Sequence, residues 1–483
     1  MKSRTLKIVG LLLLVTLVIS ACDSILPAAE YPDVNGEETA AAALPATSSS
    51  IEETDPTPTA VPNTPTPEAT QPPTSTELEV EPEDNAAEED ESEHPAEVST
   101  PEIPETVGPE NFPENINPLT GLPVEDPALL ALPPALISIS NFPASARPQA
   151  GLNSSPITFE IAIGEGMTRF LAMFYGGFPK AVSGQTEGDS PGGTTTTGAR
   201  EDNVGEAESA GNTGQGVAAA SIGPIRSGRL PYEDVRSLYS GFLVMASAWE
   251  GVSQNLSETT SVFGSDGEDI NSALVGVDRL QQIAQSQSQG YPGSNFNLEG
   301  FYFSQTPPSG GRTAHDVWVY YSLLNQIQWR YDEELSAYIR YDIKTDGSSE
   351  FVMSTDRLTG DPVSKENVIV VYAEHDYKAP TLIDIDLINR APTKALLFRD
   401  GQIYEIFWTT QFGEYEQETG LMRPMRFVDA EGNPIAMKHG QTWIHIISMA
   451  SYHRESVISE QPFQPVIEQP GSGLWLVRYK GKY

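Results

Sequence analysis

Charged and amide side chains interrupt a run of strand-like sequence between residues 136 and 177. Apolar residues recur at every second position from Ile157 to Ile163, which is typical of a strand with one buried face. A strand of that kind needs only alternation, so this density of polar groups indicates a functional site. The candidate residues in this stretch are Asn141, Arg147, Gln149, Glu160, Glu165 and Arg169.

A second group of candidates lies on a glycine-containing loop and comprises Arg226, Ser227 and Arg229. Pro231 and the two acidic residues that follow it predict that this loop leads into a helix. The apolar face of that helix is expected to run from Val235 to Leu243. Two guanidinium groups beside a helix N-terminus suit a carboxylate or a phosphate, so the loop is a predicted anion-binding element.

Whether the two groups share one site depends on the hairpin around Glu165. Its Gly-Glu-Gly sequence can close a two-residue or a three-residue turn, and one residue of register decides which side chains share a face. We predict the two-residue turn, which places Arg169 beside Glu160; the three-residue turn sets Arg169 opposite Ile161 instead. In the predicted register the arginine loop meets this polar face, where it binds an anion or pairs internally with Glu160 and Glu165.

The residues that could perform acid–base chemistry are Glu160, Glu165 and His315. Two carboxylates on the order of 5–9 Å apart would suit glycosidase-type hydrolysis, with the arginines holding an anionic substrate. His315 is the weaker candidate, because a lone histidine is more often a hydrogen-bonded structural residue. The sequence shows no nucleophilic-serine elbow, phosphate-binding loop or metal-ligand spacing, so we predict neither a metal nor a cofactor.

The N-terminus predicts secretion and lipid attachment. A basic start is followed by the apolar run Ile8–Ile19 and then by Ser20, Ala21 and Cys22, which is the single cysteine of the chain. The sequence before Cys22 resembles a bacterial lipobox, so we predict residues 1–22 as a signal peptide and Cys22 as the lipidated residue. An ordinary signal peptide is the alternative. One cysteine excludes an intramolecular disulfide.

Residues 23–116 form a segment of different composition, rich in Pro, Thr, Ser and acidic residues. Such a segment buries too little apolar surface to fold, so we predict a disordered tether; a segment that binds a basic partner is the alternative. The formal net charge of −39 argues against nucleic acid as a partner and against electrostatic adhesion to anionic lipid. The predicted membrane contact is therefore the N-terminal lipid.

The remaining chain predicts an α+β fold with two domains behind the tether. Residues 117–325 are interpreted as a mixed α/β domain with helices near 231–243 and 272–283 and a flexible insertion at 183–216. Residues 326–483 hold short strands with tight-turn signals, which favours a mostly antiparallel β domain. Three tryptophans are interpreted as core residues: Trp408, Trp443 and Trp475.

Seven short motifs together resemble the YerB-like family of bacterial lipoproteins. They are NPLTGLP, ARPQAGL, FEIAIGEGMTRFLAMF, IGPIRSGR, ENVIVV, FRDGQIYEIFW and GQTWIHII. The resemblance covers about Asn117 to Ser448 and implies a lipobox, a linker and paired N-terminal and C-terminal domains of unknown function. It implies no biochemical activity. At Ala314-His315-Asp316 the sequence departs from the family pattern of Pro-His-Asn, so no role is carried over to that site.

The expected function follows from location and from the polar candidates. We expect a lipid-anchored lipoprotein on the outer face of the cell membrane that binds a cell-wall polymer or an envelope protein. The alternative is an envelope hydrolase or transferase that acts on an anionic wall glycan through the Glu and Arg cluster. A solute-binding lipoprotein is the third hypothesis, but the sequence shows none of the repeated βαβ patterns usual in such proteins.

Lipid attachment at Cys22 is directly testable. We expect Cys22→Ser to release the protein from membranes or to leave it unprocessed, because the serine hydroxyl does not replace the thiol as the acceptor of the lipid. Membrane fractionation and the mass of the mature chain measure both outcomes. A variant that matures and fractionates like the wild type would contradict the prediction.

Overall fold

The structure, a computed structural model, describes residues 103–110, 112–179, 221–262, 272–290, 296–457 and 467–482. The chain divides into two units, residues 1–94 and 95–483, and every described residue belongs to the second. The predicted signal peptide with Cys22, most of the predicted tether and the predicted insertion at 183–216 lie outside the described residues. The last part of the predicted tether is folded, because Val107 is buried and its strand pairs with another.

Strands dominate the described residues, which also contain four α-helices. The strands that precede residue 314 are β1 Thr106–Val107, β2 Ile116–Asn117, β3 Leu122–Pro123, β4 Ala135–Ser140, β5 Ile157–Gly164, β6 Met167–Phe174, β7 Ser221–Ile222, β8 Phe242–Met245, β9 Thr259–Ser261, β10 Val275–Gly276, β11 Tyr302–Ser304 and β12 Arg312–Thr313. The later strands are β13 Asp316–Ser322, β14 Asn325–Asp332, β15 Ala337–Ile343, β16 Phe351–Met353, β17 Ser364–Lys365, β18 Asn367–Ala379, β19 Leu382–Asp386, β20 Thr393–Arg399, β21 Gln402–Thr409, β22 Arg426–Val428, β23 Ala436–Met437, β24 Thr442–Ser448, β25 Tyr452–Val457, β26 Ile467–Glu468 and β27 Leu474–Arg478. The helices are α1 Tyr232–Leu238, α2 Glu250–Ser253, α3 Val277–Gly290 and α4 Glu414–Thr419.

One twelve-stranded sheet joins the two halves of the chain. Its main path runs β12-β21-β20-β18-β24-β5-β6-β4-β8-β9, with β19 and β22 attached beside it. The junction is the parallel pairing of β24 with β5, in which Thr442 lies opposite Ile157 and His445 opposite Glu160. Strands from both predicted domains therefore belong to a single hydrogen-bonded sheet, in which β21, β20, β18 and β24 form one block and β5, β6, β4, β8 and β9 the next. The predicted boundary between residues 325 and 326 falls inside β14, one residue after the turn of the β13–β14 hairpin.

A second sheet of eight strands covers one face of the large sheet. Strands β13, β14, β15 and β27 supply its inward side chains, which form one buried cluster with residues of β4, β6, β18 and β24. Trp329 of β14 and Trp443 of β24 meet edge to face there, with ring centroids 5.2 Å apart. The prediction that Trp408, Trp443 and Trp475 are core residues is confirmed, since each is at most 3% exposed.

The opposite face of the large sheet packs against different elements. Its apolar side chains, including Phe159 of β5 and Leu171 of β6, cluster with the buried face of α1 and with Phe303 of the small sheet β1-β11-β23. Both faces of the large sheet are thus covered, which explains why its central strands are apolar at nearly every position. A polar residue in these strands lies in one of two separate cores.

The hairpin β5–β6 differs from the predicted register. Its turn is the predicted two-residue turn, with Gly164 opposite Met167, but a β-bulge at Ile163 then shifts the pairing by one residue. Arg169 consequently lies opposite Ile161, and Glu160 lies opposite Phe170. Glu160 and Arg169 therefore point to opposite faces of the sheet, and the prediction that they share one face is wrong.

The predicted helix at 231–243 is also shorter in the structure. Helix α1 ends at Leu238, and Phe242 and Leu243 belong to the buried strand β8 instead of the helical face. Ser240, with φ of 47°, reverses the chain between the two elements. A run of four apolar residues suits a strand covered on both faces, which is what β8 becomes beside β4. The N-terminal half, predicted as mixed α/β, is accordingly built mainly of strands.

Among the described helices, none combines the length and the apolar character that a bilayer crossing requires.

The carboxylate of Asp356 ties the two halves together and is fully buried. It accepts hydrogen bonds from the backbone N–H groups of Gly151, Asn153 and Leu358 at 2.8–3.1 Å. We expect Asp356→Ala to lower the free energy of unfolding by about 3 kcal/mol, because several buried donors lose their acceptor. Denaturant unfolding measures the change. Asp361→Ala, at an exposed position of the same loop, is the matched control and should stay within about 0.5 kcal/mol of the wild type.

Candidate functional site

Three arginines meet at one edge of the core that contains α1. Arg169 lies in β6 opposite Ser140 of β4, so both side chains point to this face of the sheet. The loop with Arg226 and Arg229 runs alongside, because the N–H of Arg226 donates to the carbonyl oxygen of Ser138 at 2.8 Å. The loop therefore lies next to Arg169, and we call Arg169, Arg226 and Arg229 the arginine cluster.

Hydrogen bonds to neutral groups hold this cluster. Arg169 donates from Nη1 to the carbonyl oxygen of Ser227 at 3.0 Å, and Arg226 donates from Nε to Oγ of Ser140 at 3.3 Å. The hydroxyl of Ser138 lies 3.2 Å from both the Ser227 carbonyl oxygen and the hydroxyl of Tyr232. These contacts fix the guanidinium groups but supply no negative charge.

No carboxylate of the described residues lies within 4.0 Å of a guanidinium nitrogen of the cluster. Arg169 is only 6% exposed, and its Nε has no hydrogen-bond partner in the described part of the chain; the same holds for Nε of Arg229. Burial, followed by the positive charges of Arg229 and Arg226, lowers the pKa of Arg169 to about 10. Burial and the charge of Arg229 likewise lower the pKa of Arg226. The cluster therefore concentrates positive charge without a neighbouring carboxylate among the described residues, and it contains guanidinium N–H donors that have no acceptor there.

Such an arrangement suits an anion. Guanidinium groups bind carboxylates and phosphates through paired N–H donors, and an added anion relieves the mutual repulsion of the three cations. Arg226 and Arg229 are half-buried, so the cluster reaches solvent. The predicted helix after the loop is present, but α1 has only seven residues, so the candidate anion site consists of the arginines alone.

Glu160 belongs to a separate and fully buried network on the other face of the sheet. Its Oε2 accepts hydrogen bonds from Nη1 of Arg340 at 2.8 Å and from Nε1 of Trp443 at 3.1 Å. Its Oε1 accepts one from the hydroxyl of Thr168 at 2.7 Å. The alternative of an internal pairing of Arg226 and Arg229 with Glu160 is therefore excluded, because Glu160 is paired with Arg340 on the other face of the sheet.

His445 completes the buried network, and its tautomer follows from its neighbours. The indole N–H of Trp329 donates to Nε2 of His445 at 2.9 Å, so Nε2 is unprotonated and Nδ1 carries the hydrogen. Nδ1 then faces the hydroxyl of Tyr321 at 3.1 Å and Oε2 of Glu160 at 3.5 Å. Burial, opposed by the charge of Glu160, lowers the pKa of His445 to about 4. The imidazole is neutral at physiological pH.

The network continues as a chain of alternating charges towards a cavity of about 460 Å³. Arg340 binds Asp342 at 3.0 Å, and Asp342 lies 3.8 Å from Arg147, which lines the cavity with Gln149. Although burial opposes it, the charges of Arg147 and Arg340 lower the pKa of Asp342 to about 2. The two arginines and two carboxylates balance, so this chain is neutral as a whole.

The remaining predicted residues are dispersed. Asn141 is fully buried and holds the guanidinium of Arg147 through two hydrogen bonds of 2.9 and 3.2 Å. Glu165 is exposed at the tip of the β5–β6 turn, with φ of 52°. His315 is exposed beside β13. The three predicted acid–base residues therefore lie in three different places, and no two of them form a pair.

The residues that sequence reasoning missed are those around Glu160. Arg340 and Asp342 occur two positions apart in a strand, which reads equally well as an exposed polar face. His445 carried a usable signal, because a histidine inside an apolar run of a strand covered on both faces has to be buried. Ser140 and Tyr232, which lie beside the arginine cluster, carried no chemical signal of their own in the sequence.

Comparison with protein families identifies two domains in this chain. Residues 119–184 match the N-terminal domain, and residues 317–444 the C-terminal domain, of the protein of unknown function family DUF3048. The chain therefore carries both domains of that family. The predicted pairing of an N-terminal and a C-terminal domain of unknown function agrees with this result.

The chain is also homologous to the protein named "Putative lipoprotein YerB" from Bacillus subtilis (strain 168). The two sequences are 26% identical over 351 residues, which is 68% of this chain and 85% of the relative. A crystal structure of the YerB protein from Bacillus subtilis aligns with a TM-score of 0.48 at 22% identity, covering 69% of this chain and 96% of that chain. The predicted resemblance to the YerB-like family is confirmed by the two matching domains and by this homology.

The neutral state of His445 predicts a pH dependence of stability. Its pKa is about 4 in the folded chain, against 6.5 for an ordinary histidine side chain, so the unfolded chain binds the extra proton between these values. We expect the wild type to lose about 3 kcal/mol more unfolding free energy than His445→Gln as the pH falls from 6.5 to 4.

Denaturant unfolding at several pH values measures this difference, and groups common to both proteins cancel. His315→Gln, which changes an exposed histidine, is the matched control and should keep the pH profile of the wild type. Equal profiles for the wild type and His445→Gln would contradict the assignment of a neutral, buried imidazole.

Proposed function

We propose that this protein is a lipid-anchored extracytoplasmic lipoprotein that binds an anionic component of the cell wall at the arginine cluster. In this proposal residues 1–22 are the signal peptide, Cys22 carries the lipid and the acidic segment from residue 23 to about 102 spaces the folded part from the membrane. Homology to a protein named as a lipoprotein supports the location. An envelope protein with an acidic surface is the other partner that the same charge would attract.

The observation that carries the proposal is the absence of any described carboxylate beside Arg169, Arg226 and Arg229. Elsewhere in the described chain, buried arginines have partners: Arg340 binds two carboxylates, and Arg399 binds Asp400 at 2.7 Å. Burying an unpaired cation costs free energy unless something compensates it. A bound anion supplies that compensation.

The overall negative charge of the chain strengthens the argument. Against a formal net charge of −39, three arginines without a carboxylate stand out as a local exception. Acidic surroundings repel a polyanion at long range, but salt screens that repulsion beyond about 8 Å at physiological ionic strength. The cluster therefore acts on groups that reach direct contact, which favours a specific anionic group over a general affinity for polyanions.

The hydrolase or transferase alternative loses its structural basis. That hypothesis required the glutamates and the arginines in one cleft, whereas Glu160 and Arg169 lie on opposite faces of the sheet. Glu160 is fully buried, and Glu165 stands at an exposed turn. General acid–base catalysis needs its groups within hydrogen-bond reach of the reacting atoms, and this separation does not provide it.

The proposed function predicts the behaviour of Arg226→Ala. We expect at least a tenfold weaker affinity for inorganic phosphate in calorimetric titrations of the full chain, and weaker retention on isolated cell walls, since one charged fork of the site is lost. We expect the melting temperature to stay the same or rise slightly, because removing one of three like charges relieves repulsion.

Arg279→Ala is the matched control, since it removes an exposed arginine of α3 outside the cluster and should leave both measurements unchanged. A loss of about 3–5 kcal/mol in Arg226→Ala would instead indicate an internal ion pair and contradict the proposal. Unchanged binding of inorganic phosphate and of isolated cell walls would also contradict the proposal.

A further inference from the structure

An exposed tryptophan lies beside the arginine cluster. Trp249 is 67% exposed, more than any other large apolar side chain of the described residues. Single exposed apolar residues are common on protein surfaces, so exposure alone assigns no role. The position and the support of this indole are what require an explanation.

The position follows from two backbone hydrogen bonds. The N–H of Ala246 donates to the carbonyl oxygen of Arg226 at 3.0 Å, and the N–H of Gly228 donates to the carbonyl oxygen of Ser247 at 2.8 Å. The arginine loop and the segment after β8 thus run side by side in the same direction. Gly228 lies level with Ala248, because a Cβ atom at Gly228 would be 3.6 Å from the Cβ of Ala248. The next residues along the two segments are Arg229 and Trp249, so these two residues are adjacent across the pair of segments.

The indole is also supported from below. The ring packs directly on Gly251. A Cβ atom at that position would lie 2.2 Å from Cζ3 of Trp249, so any larger residue there would displace the ring. The carbonyl oxygen of Trp249 accepts hydrogen bonds from the N–H groups of Val252 and Ser253, both at 2.8 Å. The backbone of α2 therefore holds the residue in place, which makes its outer surface a preformed flat apolar platform.

We propose that the ligand of the arginine cluster is an anionic sugar, whose ring packs on Trp249 while its phosphate or carboxylate binds Arg226 and Arg229. This inference rests on the proposed function and adds the chemical class of the ligand. The C–H face of a pyranose ring is apolar and matches an indole, and burying it adds to the binding energy of the anionic group. A free inorganic anion has nothing to place on the tryptophan.

The test compares two probes and two variants of the full chain. The probes are N-acetylglucosamine 1-phosphate and inorganic phosphate, titrated calorimetrically. We expect Trp249→Ala to weaken the affinity for the sugar phosphate about tenfold and the affinity for inorganic phosphate less than about twofold. We expect Arg226→Ala to weaken both. Leu335→Ala, at another exposed apolar residue, is the matched control and should change neither affinity.

The possible failures are distinguishable. If Trp249→Ala binds both probes like the wild type while Arg226→Ala loses both, the sugar assignment is overturned and the anion site remains. If the wild type binds neither probe, the anion site itself is overturned. If uridine monophosphate binds more tightly than the sugar phosphate and depends on Trp249, the platform serves an aromatic base and the sugar assignment is overturned. Trp249→Phe should keep part of the affinity for the sugar phosphate.

Discussion

The ion pair between Glu160 and Arg340 is the interaction on which the packing of the two large sheets depends. Glu160 stands in the sheet that joins both halves of the chain, and Arg340 stands in the sheet that covers it. Both side chains are at most 1% exposed, and the guanidinium also lies over the rings of Phe170 and Trp443, 5.1 and 4.6 Å from their centroids. Removing either partner would leave a buried charge, at a cost of about 3–5 kcal/mol. The pair therefore constrains how the two sheets pack, because each charge needs the other in place.

The same interaction explains why Glu160 resembles a catalytic residue in the sequence, although its position in the structure is that of a buried ion-pair partner. A carboxylate within an apolar strand indicates either a site or a buried partner, and sequence alone does not show which. Here both carboxylate oxygens accept hydrogen bonds from other strands: Oε1 from Thr168, and Oε2 from Arg340 and Trp443. The side chain is fully buried, so it connects its own strand β5 with β6, β15 and β24 and is not accessible to a substrate.

The sequence predicted the strands, the turn and the buried tryptophans, because periodicity and turn chemistry are local properties. The predicted register failed at Ile163, where one extra residue in β5 turns the preceding side chains of that strand to the opposite face of the sheet. Alternation does not reveal such a bulge, since Ile163 is as apolar as its neighbours. Another loop approaches the strand next to this bulge: the carbonyl oxygen of Pro380 would lie 2.0 Å from a Cβ at Gly164. That is a tertiary constraint, set by residues more than two hundred positions away in the chain.

The bulge also separates two kinds of polar chemistry that an unbroken hairpin would have mixed. Behind the sheet, the charges of Glu160, Arg340, Asp342 and Arg147 alternate and cancel, and His445 is neutral. In front of it, Arg169 faces two more arginines and no described carboxylate. With the predicted register, Glu160 would lie beside Arg169 and neutralise it, leaving less charge for a ligand. Since one residue of register directs the carboxylate to the core and the arginine to the loop, the positive cluster is a consequence of the fold and not of an arginine-rich sequence.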